Sequence, residues 1–191
     1  MEWSDETAVA RARTGDTEAF RVLVERHSRP LFCLAFRMTG NEQDAEDVVQ
    51  ETLLRVHRKI EKFDERASFR TWLYRIAVNC SLDVVRARKR RSELSGPADP
   101  EMIDPMESLP ALDPTPDRVA MSEQARRRIA AAMEELSAVE RTAFVLRHFD
   151  GMRIDEISRV LECQPAAARH SVFRAVQKMR AALQPLVRAA K

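Results

Sequence analysis

The sequence is poor in the residues that build small metal-binding, disulfide-linked or nucleotide-binding scaffolds. It has three cysteines and four glycines among 191 residues. The cysteines, Cys33, Cys80 and Cys163, are widely spaced and form no CxxC pair, so neither a disulfide framework nor a zinc site is expected. No two glycines stand close enough to build a phosphate-binding loop. We therefore expect no metal ion and no cofactor.

Long apolar runs are missing as well. No stretch approaches the roughly 18 uninterrupted apolar residues of a transmembrane helix, and no apolar core follows a basic start, as a signal peptide requires. We therefore expect no membrane insertion and a cytoplasmic location. The sequence also offers no metal-carboxylate cluster and no Ser/His/Asp arrangement, so we do not expect an enzyme.

The net charge of +2 is small only because three unlike segments cancel. Residues 1–91, 92–121 and 122–191 carry balances of +3, −6 and +5. Six of the nine prolines fall between residues 97 and 116, and proline removes helix donors and holds its predecessor in extended conformations. We predict two small domains, 1–91 and 122–191, joined by a flexible, acidic, proline-rich linker at 92–121.

Helical periodicity marks the first segment, and sustained strand alternation is absent. Apolar residues recur at three- and four-residue steps, and each run begins at a side chain suited to an N-cap. Pro30 is expected to open a separate helix that ends near Met38. The segment is predicted to be an all-helical bundle of about four helices, with a possible short extra helix at the N-terminus. The predicted N-caps are Asp16, Asn41 and Ser68, for helices that end near residues 27, 60 and 88.

The second segment is also predicted to be all-α, but with tighter turns. Residues Ser137 to Glu140 form a capping box, and Asp150-Gly151 favours a tight turn. A short helix over 154–161, a three-residue turn and a longer helix from Pro165 to about residue 183 follow. This order is the helix-turn-helix arrangement.

The longer helix is basic along its length. Between residues 166 and 183 it carries four Lys or Arg side chains and no acid. A solvated basic face is the plain alternative, but the preceding turn favours binding to duplex DNA.

Two pairs of stretches together resemble one family. Asp44–Thr52 is followed by Phe69–Asn79, and Leu136–Arg147 is followed by the helix-turn-helix through Ala175. They are similar to the two conserved domains of bacterial extracytoplasmic-function (ECF, group 4) sigma factors of the sigma-70 family, sigma-E-like subunits that direct RNA polymerase to promoters. The resemblance implies a region 2-like domain at 1–91 and a region 4-like domain at 122–191.

The resemblance implies that the first domain docks on the clamp helices of the largest subunit of core RNA polymerase. A helix that buries Val48 and Val49 leaves acidic and amide side chains available to a basic partner. Without the resemblance, a solvated acidic face would be the simpler interpretation. Members of this family are often held inactive by an anti-sigma factor, which is the further partner expected here. The matching positions are Asp44, Asp47, Gln50 and Glu51.

The same domain is expected to hold the separated strand of the −10 element. Stacking on an aromatic ring contributes about 1–3 kcal/mol per base, an amide can read a base edge, and a basic helix end can bind phosphates. Trp72 and Phe69 could equally be core residues. The residues that match this region are Arg55, Phe63, Phe69, Trp72, Asn79, Arg86, Arg88, Lys89 and Arg90.

The resemblance implies that the second domain places its last helix in the major groove of the −35 element. Arginine can bind guanine bidentately there. The sequence departs from the usual pattern at Ala167, His170, Ser171 and Val176, which leaves the promoter sequence open. The matching DNA-binding residues are Arg147, Arg169, His170, Phe173, Arg174 and Lys178.

Two questions stay open at this level. The acidic linker could lie in polymerase channels lined for polyanions, or it could be a tether kept soluble by its charge. The chain could also be a stand-alone helix-turn-helix regulator that binds duplex DNA without polymerase, although both motifs in order favour a sigma factor that recognises −10 and −35 elements and assists promoter melting.

Overall fold

The computed structural model describes residues 3–64, 67–95, 125 and 127–189. All regular structure in these ranges is helical. Two compact units divide the chain, Met1–Asp99 and Pro100–Lys191. The predicted all-α fold with two helical domains is therefore confirmed. The predicted linker lies outside the described residues apart from 92–95, which are helical.

The first unit is a helical bundle. Helices α2, α3 and α4 pack against one another, and α1 packs mainly on α2. The predicted short helix at the N-terminus is present as α1. The elements are α1 (Asp5–Ala12), α2 (Thr17–Thr39), α3 (Glu42–Lys59), a 3₁₀ turn (Ile60–Lys62) and α4 (Phe69–Ser95).

The three N-caps predicted in this unit are confirmed. Asp16 Oδ1 accepts hydrogen bonds from the backbone N–H groups of residues 18 and 19, at 3.0 and 3.1 Å. Asn41 Oδ1 accepts from the backbone of Asp44 at 2.8 Å, and Ser68 Oγ accepts from the backbone of residue 71 at 3.2 Å. Each cap satisfies donors that the first helical turn leaves unpaired.

The predicted break before Pro30 is wrong, because α2 continues through it. Pro30 itself is exposed. Beside it, a single buried stripe runs through Leu23, His27, Leu31 and Leu34 at steps of four, four and three residues. Burial of this stripe against α3 and α4 favours one continuous helix and offsets the hydrogen bond that an internal proline removes.

Helix α4 is longer than predicted. It runs to Ser95, whereas the sequence pattern indicated an end near Arg88. The charged residues after Arg88 have good helix propensity, and no glycine or proline occurs in this part of the sequence before Gly96.

The second unit contains the predicted short helix, turn and longer helix. Residues 127–134 are helical (α5), and α6 (Ala138–His148), α7 (Ile154–Val160) and α8 (Pro165–Ala189) follow. The capping box of Ser137 and Glu140 is present at the start of α6. Pro165 opens α8 as predicted, and α8 continues past residue 183, where we expected it to end.

Tight turns let the helices of the second unit share one core. Gly151, with φ 66°, turns the chain between α6 and α7, and Glu162, with φ 51°, turns it between α7 and α8. Ala132 and Leu136 pack there against Ala175 and Met179 of α8. This packing determines which face of α8 is left for solvent.

Candidate nucleic-acid and partner surfaces

Helix α3 presents an acidic face outward. Ala45 and Val48 are buried in the bundle, whereas Asp47 and Gln50 are exposed. Asp44 and Glu51 are half-buried at the edge of the same face. The structure thus places the four predicted polymerase-binding residues where a partner can reach them, and their role stays a prediction.

A groove beside this face was missed by the sequence analysis. It has a volume of about 490 Å³ and lies between α2 and α3, where Phe32, Val49 and Leu53 line it. Leu54, on the neighbouring part of α3, is 45% exposed. The sequence feature that could have indicated this groove is the four-residue spacing of Val49 and Leu53, which places both beside the core stripe of α3.

Some predicted DNA-binding residues contact predicted polymerase-binding residues. Arg55 Nε lies 2.6 Å from Glu51 Oε1 on α3, and Arg88 Nη1 of α4 lies 3.8 Å from Asp44 Oδ2 of α3. These pairs are partly exposed, and such pairs contribute about 0–1 kcal/mol each. Their small contribution means that a nucleic-acid or protein partner could displace them.

Two of the predicted base-stacking residues belong to the core. Phe63 is 5% exposed and Phe69 is 7% exposed. The ring centroid of Trp72 lies 5.0 Å from that of Phe63 and 5.9 Å from that of Phe69. This aromatic cluster closes the bundle where α4 begins, so the ring faces of Phe63 and Phe69 are not open to a base. Trp72 is half-buried and retains access to solvent.

One face of α4 carries the other predicted −10 residues. Asn79 is exposed although its neighbours Val78 and Cys80 are buried. Trp72, Asn79, Arg86 and Arg90 are separated by seven, seven and four residues, which places them on one side of a helix. We call these four residues the α4 stripe. At a rise of 1.5 Å per residue, the stripe extends over about 27 Å.

The four basic residues of α4 that were predicted to bind DNA differ in their surroundings. Arg86 Nη1 lies 3.6 Å from Asp83 Oδ1 one turn before it. Arg88, Lys89 and Arg90 are all exposed near the end of the helix. Because α4 continues to Ser95, these cations lie more than one turn before its C-terminal end, where the helix dipole contributes little.

The second unit contains an ion-pair network that the sequence analysis did not predict. Glu140 of α6 is buried, with its side chain 6% exposed. Its Oε2 accepts hydrogen bonds from Lys178 Nζ at 2.6 Å and from the backbone N–H of Ser137 at 2.9 Å. Arg174 Nε lies 3.1 Å from Glu140 Oε1. The hydrogen bond from Lys178, together with that from Ser137, lowers the pKa of Glu140 to about 2.

Two predicted −35 residues are therefore ion-paired with a residue of the second unit itself, although both remain partly exposed. The absence of acids on α8 suggested that its cations had no internal partners, but the partner of Arg174 and Lys178 is on α6, 38 residues before Lys178. Sequence analysis assigned Glu140 to the capping box alone. The sequence feature that could have indicated this network is the spacing of Arg174 and Lys178 by four residues, which places both cations on one side of α8.

The outer face of α8 remains open. Arg169 and His170 are exposed, and Phe173 is 59% exposed, although it is a large apolar residue. Ala168, Ala175 and Met179 are buried on the opposite face. Arg147 of α6 is exposed, and its Nη1 donates to the backbone carbonyl of Met152 at 3.0 Å, which ties α6 to the turn before α7.

Metal-binding clusters and membrane-spanning helices are absent from the described ranges. Among residues 3–64, 67–95, 125 and 127–189, no three His, Cys, Asp or Glu side chains come together in a way that could hold a metal ion. In the same part of the chain, no helix combines the length and apolar character needed to cross a membrane.

Comparison with known proteins identifies both units. The family model for sigma-70 region 2 matches residues 23–91, and the model for sigma-70 region 4 matches residues 126–179. The RNA polymerase sigma-H factor of Pseudomonas aeruginosa is 32% identical over 188 residues, 97% of this chain and 97% of the relative. The ECF RNA polymerase sigma-E factor of Escherichia coli is 33% identical over 187 residues, again 97% of each chain.

Solved structures agree with these relatives. The structure of CnrH in complex with the cytosolic domain of CnrY has a TM-score of 0.71 and 26% identity, and the match covers 95% of this chain and 97% of that chain. The sigma factor RpoE of Bartonella quintana, solved with the anti-sigma factor NepR, shares the fold with a TM-score of 0.68 at 22% identity over 86% of this chain and 96% of that chain. With two matched sigma-70 regions and curated relatives aligned over nearly the whole length, the chain belongs to the ECF sigma factors of the sigma-70 family.

Proposed function

We propose that this chain acts as a sigma subunit that binds core RNA polymerase, recognises −10 and −35 promoter elements and assists promoter melting. The observation that carries the proposal is the pair of sigma-70 regions, each folded as a separate helical unit with its own exposed polar face. In this proposal the chain acts only by binding and has no catalytic activity of its own. It acts in the cytoplasm, which contains both the polymerase and the chromosome.

The polymerase contact is assigned to the outer face of α3. Asp44, Asp47, Gln50 and Glu51 form a polar, acidic surface, and the groove lined by Phe32, Val49 and Leu53 lies next to it. An acidic face beside an apolar groove suits a helical partner that is basic on one side and apolar on the other. The clamp helices of the largest subunit are the proposed partner.

The −10 element is assigned to the α4 stripe. Asn79 has the donor and acceptor groups needed to read a base edge, and Trp72 offers part of an aromatic surface beside it. Arg86 and Arg90 lie further along the same face, where they can bind phosphates without reading sequence. Arg55, Arg88 and Lys89 add positive charge near this track. Phe63 and Phe69 support Trp72 from the core and do not contact bases in this proposal.

The −35 element is assigned to the outer face of α8. Arg169 and Arg174 are suited to bidentate contact with guanine, and Phe173 is suited to apolar contact with a thymine methyl group. His170 lies between them in sequence and is exposed. Arg147 of α6 is placed near the turn before α7 and is assigned to the DNA backbone.

A protein inhibitor is proposed as a further partner. CnrH, which shares 26% identity with this chain, was solved in complex with the cytosolic domain of CnrY. An anti-sigma factor that covers the groove between α2 and α3 would compete with polymerase for Val49, Gln50 and Leu53. Competition for one surface is the simplest way for such a partner to hold the chain inactive.

Run-off transcription tests the proposal. Promoters are first selected from a random duplex library with the chain and core polymerase together. Core polymerase plus chain should then give specific transcripts that core polymerase alone does not give. Equal specificity from core polymerase alone would refute the function. Tight, selective binding of duplex DNA by the chain, unchanged by core polymerase, would instead support a stand-alone regulator, which the two matched sigma-70 regions disfavour.

An Asn79→Ala variant tests the melting step. It should lose transcription from a duplex promoter and regain it on a template whose −10 region is mismatched and already open. Thr17→Ala is the matched control, because it also removes one neutral polar side chain, and Thr17 is exposed at the start of α2, outside the α4 stripe and the aromatic cluster that supports Trp72. Equal loss on both templates would mean that Asn79 does not act in strand separation.

A further inference from the structure

The network around Glu140 joins two helices with different tasks. Glu140 is at the start of α6, and its cationic partners Lys178 and Arg174 are on α8, the helix proposed to enter the major groove. Glu140 is 6% exposed, whereas the side chains of Lys178 and Arg174 are 39% and 59% exposed. The carboxylate is thus buried beneath two cations that remain accessible at the surface.

The network leaves one positive charge uncompensated, because two cations face one carboxylate. Removing both cations from Glu140 would leave a buried carboxylate without a charged partner, which is strongly unfavourable. Removing only Arg174 leaves Lys178 and the backbone N–H of Ser137 on the carboxylate. Arg174, the more exposed partner, is therefore the one whose guanidinium can reach a base, while Lys178 stays with Glu140.

We propose that Glu140 is a positioning residue for sequence reading, which holds Lys178 away from DNA phosphates and orients Arg174 on the reading face of α8. The inference rests on the proposed binding of the −35 element by α8. Phosphate contacts add affinity without sequence information, whereas base contacts specify the site. By keeping Lys178 from the phosphates, Glu140 lowers non-specific affinity and leaves selectivity to Arg169, Phe173 and Arg174.

The geometry around the network supports this role. A pocket of about 400 Å³ lies over Glu140, and its lining combines the N-terminal end of α6 with one face of α8. His170 and Ser171, which follow Arg169 in the sequence of α8, also line this pocket. Arg174 therefore sits between the buried carboxylate and the exposed residues that are proposed to read bases.

The salt dependence of DNA binding tests the proposal with the full chain bound to core polymerase. Two fluorescent duplexes are used, one of random sequence and one carrying a −35 element selected by the wild-type complex. Glu140→Gln keeps the capping box, because glutamine also serves at this position, but removes the charge that holds Lys178. Each phosphate contact changes the slope of log K against log salt by about 0.9.

We expect Glu140→Gln to release Lys178 to a phosphate. The slope should become steeper by about 0.9, random duplex should bind about five- to tenfold more tightly at 0.1 M salt, and the preference for the selected duplex should fall. Lys178→Gln alone should leave the slope unchanged. The double variant Glu140→Gln/Lys178→Gln should return to the wild-type slope.

Glu156→Gln is the matched control. Glu156 Oε2 accepts from the backbone N–H of Arg153 at 2.8 Å at the start of α7, so the variant makes the same charge change at the same kind of helix position. It should leave the slope unchanged. Circular dichroism of each variant shows whether its helices are intact, and Lys178→Gln gives a decisive reading that does not depend on altering Glu140.

Three results would overturn the proposal. A slope that becomes shallower by about 0.9 in Lys178→Gln would mean that Lys178 already contacts a phosphate. Equal weakening of both duplexes by Glu140→Gln, with no change of slope, would mean that Glu140 acts only in folding. The same steepening in Glu156→Gln would assign the effect to net charge. Failure of the wild-type complex to prefer any duplex would refute the proposed function instead, while slopes on random duplex would still decide the role of Glu140.

Discussion

Replacing Glu140 should change how the stability of the second unit depends on pH. In the folded chain, hydrogen bonds from Lys178 and from the backbone of Ser137 lower the pKa of Glu140 to about 2 from its usual value of 4.5. A carboxylate with a lowered pKa stabilises the folded state above pH 4.5 and loses that contribution as the pH falls towards 2. Glu140→Gln carries no such charge, so the variant should lack this part of the pH dependence.

The size of the effect follows from the same geometry. A pKa difference of this size corresponds to about 3 kcal/mol at most, since each pKa unit is about 1.36 kcal/mol. Lys178 and Arg174 are 39% and 59% exposed, so solvent screens part of their attraction to Glu140. We expect wild type to exceed Glu140→Gln by about 1–2 kcal/mol in the free energy of unfolding at pH 6, and by nearly nothing at pH 2.

Urea unfolding of the full chain can follow the two units separately. Both tryptophans, Trp3 and Trp72, are in the first unit, so their fluorescence reports that unit alone. Methyl NMR signals of Leu146 and Met179 report the second unit. The fluorescence transition should be the same in both proteins at every pH. A difference between wild type and variant that stays constant from pH 6 to pH 2 would refute the electrostatic role of Glu140.

Three further substitutions, each measured by urea unfolding, test a turn, a helix cap and an internal proline. Glu162→Gly should stabilise the second unit by about 0.5–1 kcal/mol, because residue 162 has a left-handed φ of 51° that glycine adopts without strain. An unchanged unfolding transition of the second unit would show that the backbone at residue 162 is not strained. Asn41→Ala should destabilise the first unit by about 1 kcal/mol through loss of the α3 cap, whereas Gln43→Ala, at an exposed position two residues later, should have little effect. Pro30→Ala should stabilise the first unit by about 1–2 kcal/mol, because alanine restores a donor inside α2, and a destabilised variant would show that the proline is needed there.

Local signals were sufficient to predict most helices. The N-caps Asp16, Asn41 and Ser68, the capping box of Ser137 and Glu140, and Pro165 at the start of α8 depend on residues within one helical turn of each other. The helix-turn-helix followed from the same kind of information. Membership of the sigma factor family also rested on local motifs read in order, and the comparisons agree with it.

Exposure of a site residue was harder to predict, because it depends on what packs against each side chain. Asn79 is exposed as expected, whereas Phe63 and Phe69, which matched the same region, are buried and pack against the half-buried Trp72. An aromatic residue suits a base-stacking surface and a core equally well. Only the packing of α4 in the bundle decides between these two uses.

By itself, the sequence determined most of the helices, their caps, the division of charge among three segments and the family, because each depends on neighbours along the chain or on ordered motifs. Only the tertiary structure decided that α2 passes through Pro30, since burial of its stripe against α3 and α4 offsets the missing hydrogen bond. It also decided that Glu140 meets Lys178, 38 residues away. A cap and a basic helix are local features, but an ion pair between them exists only when the fold brings α6 and α8 together.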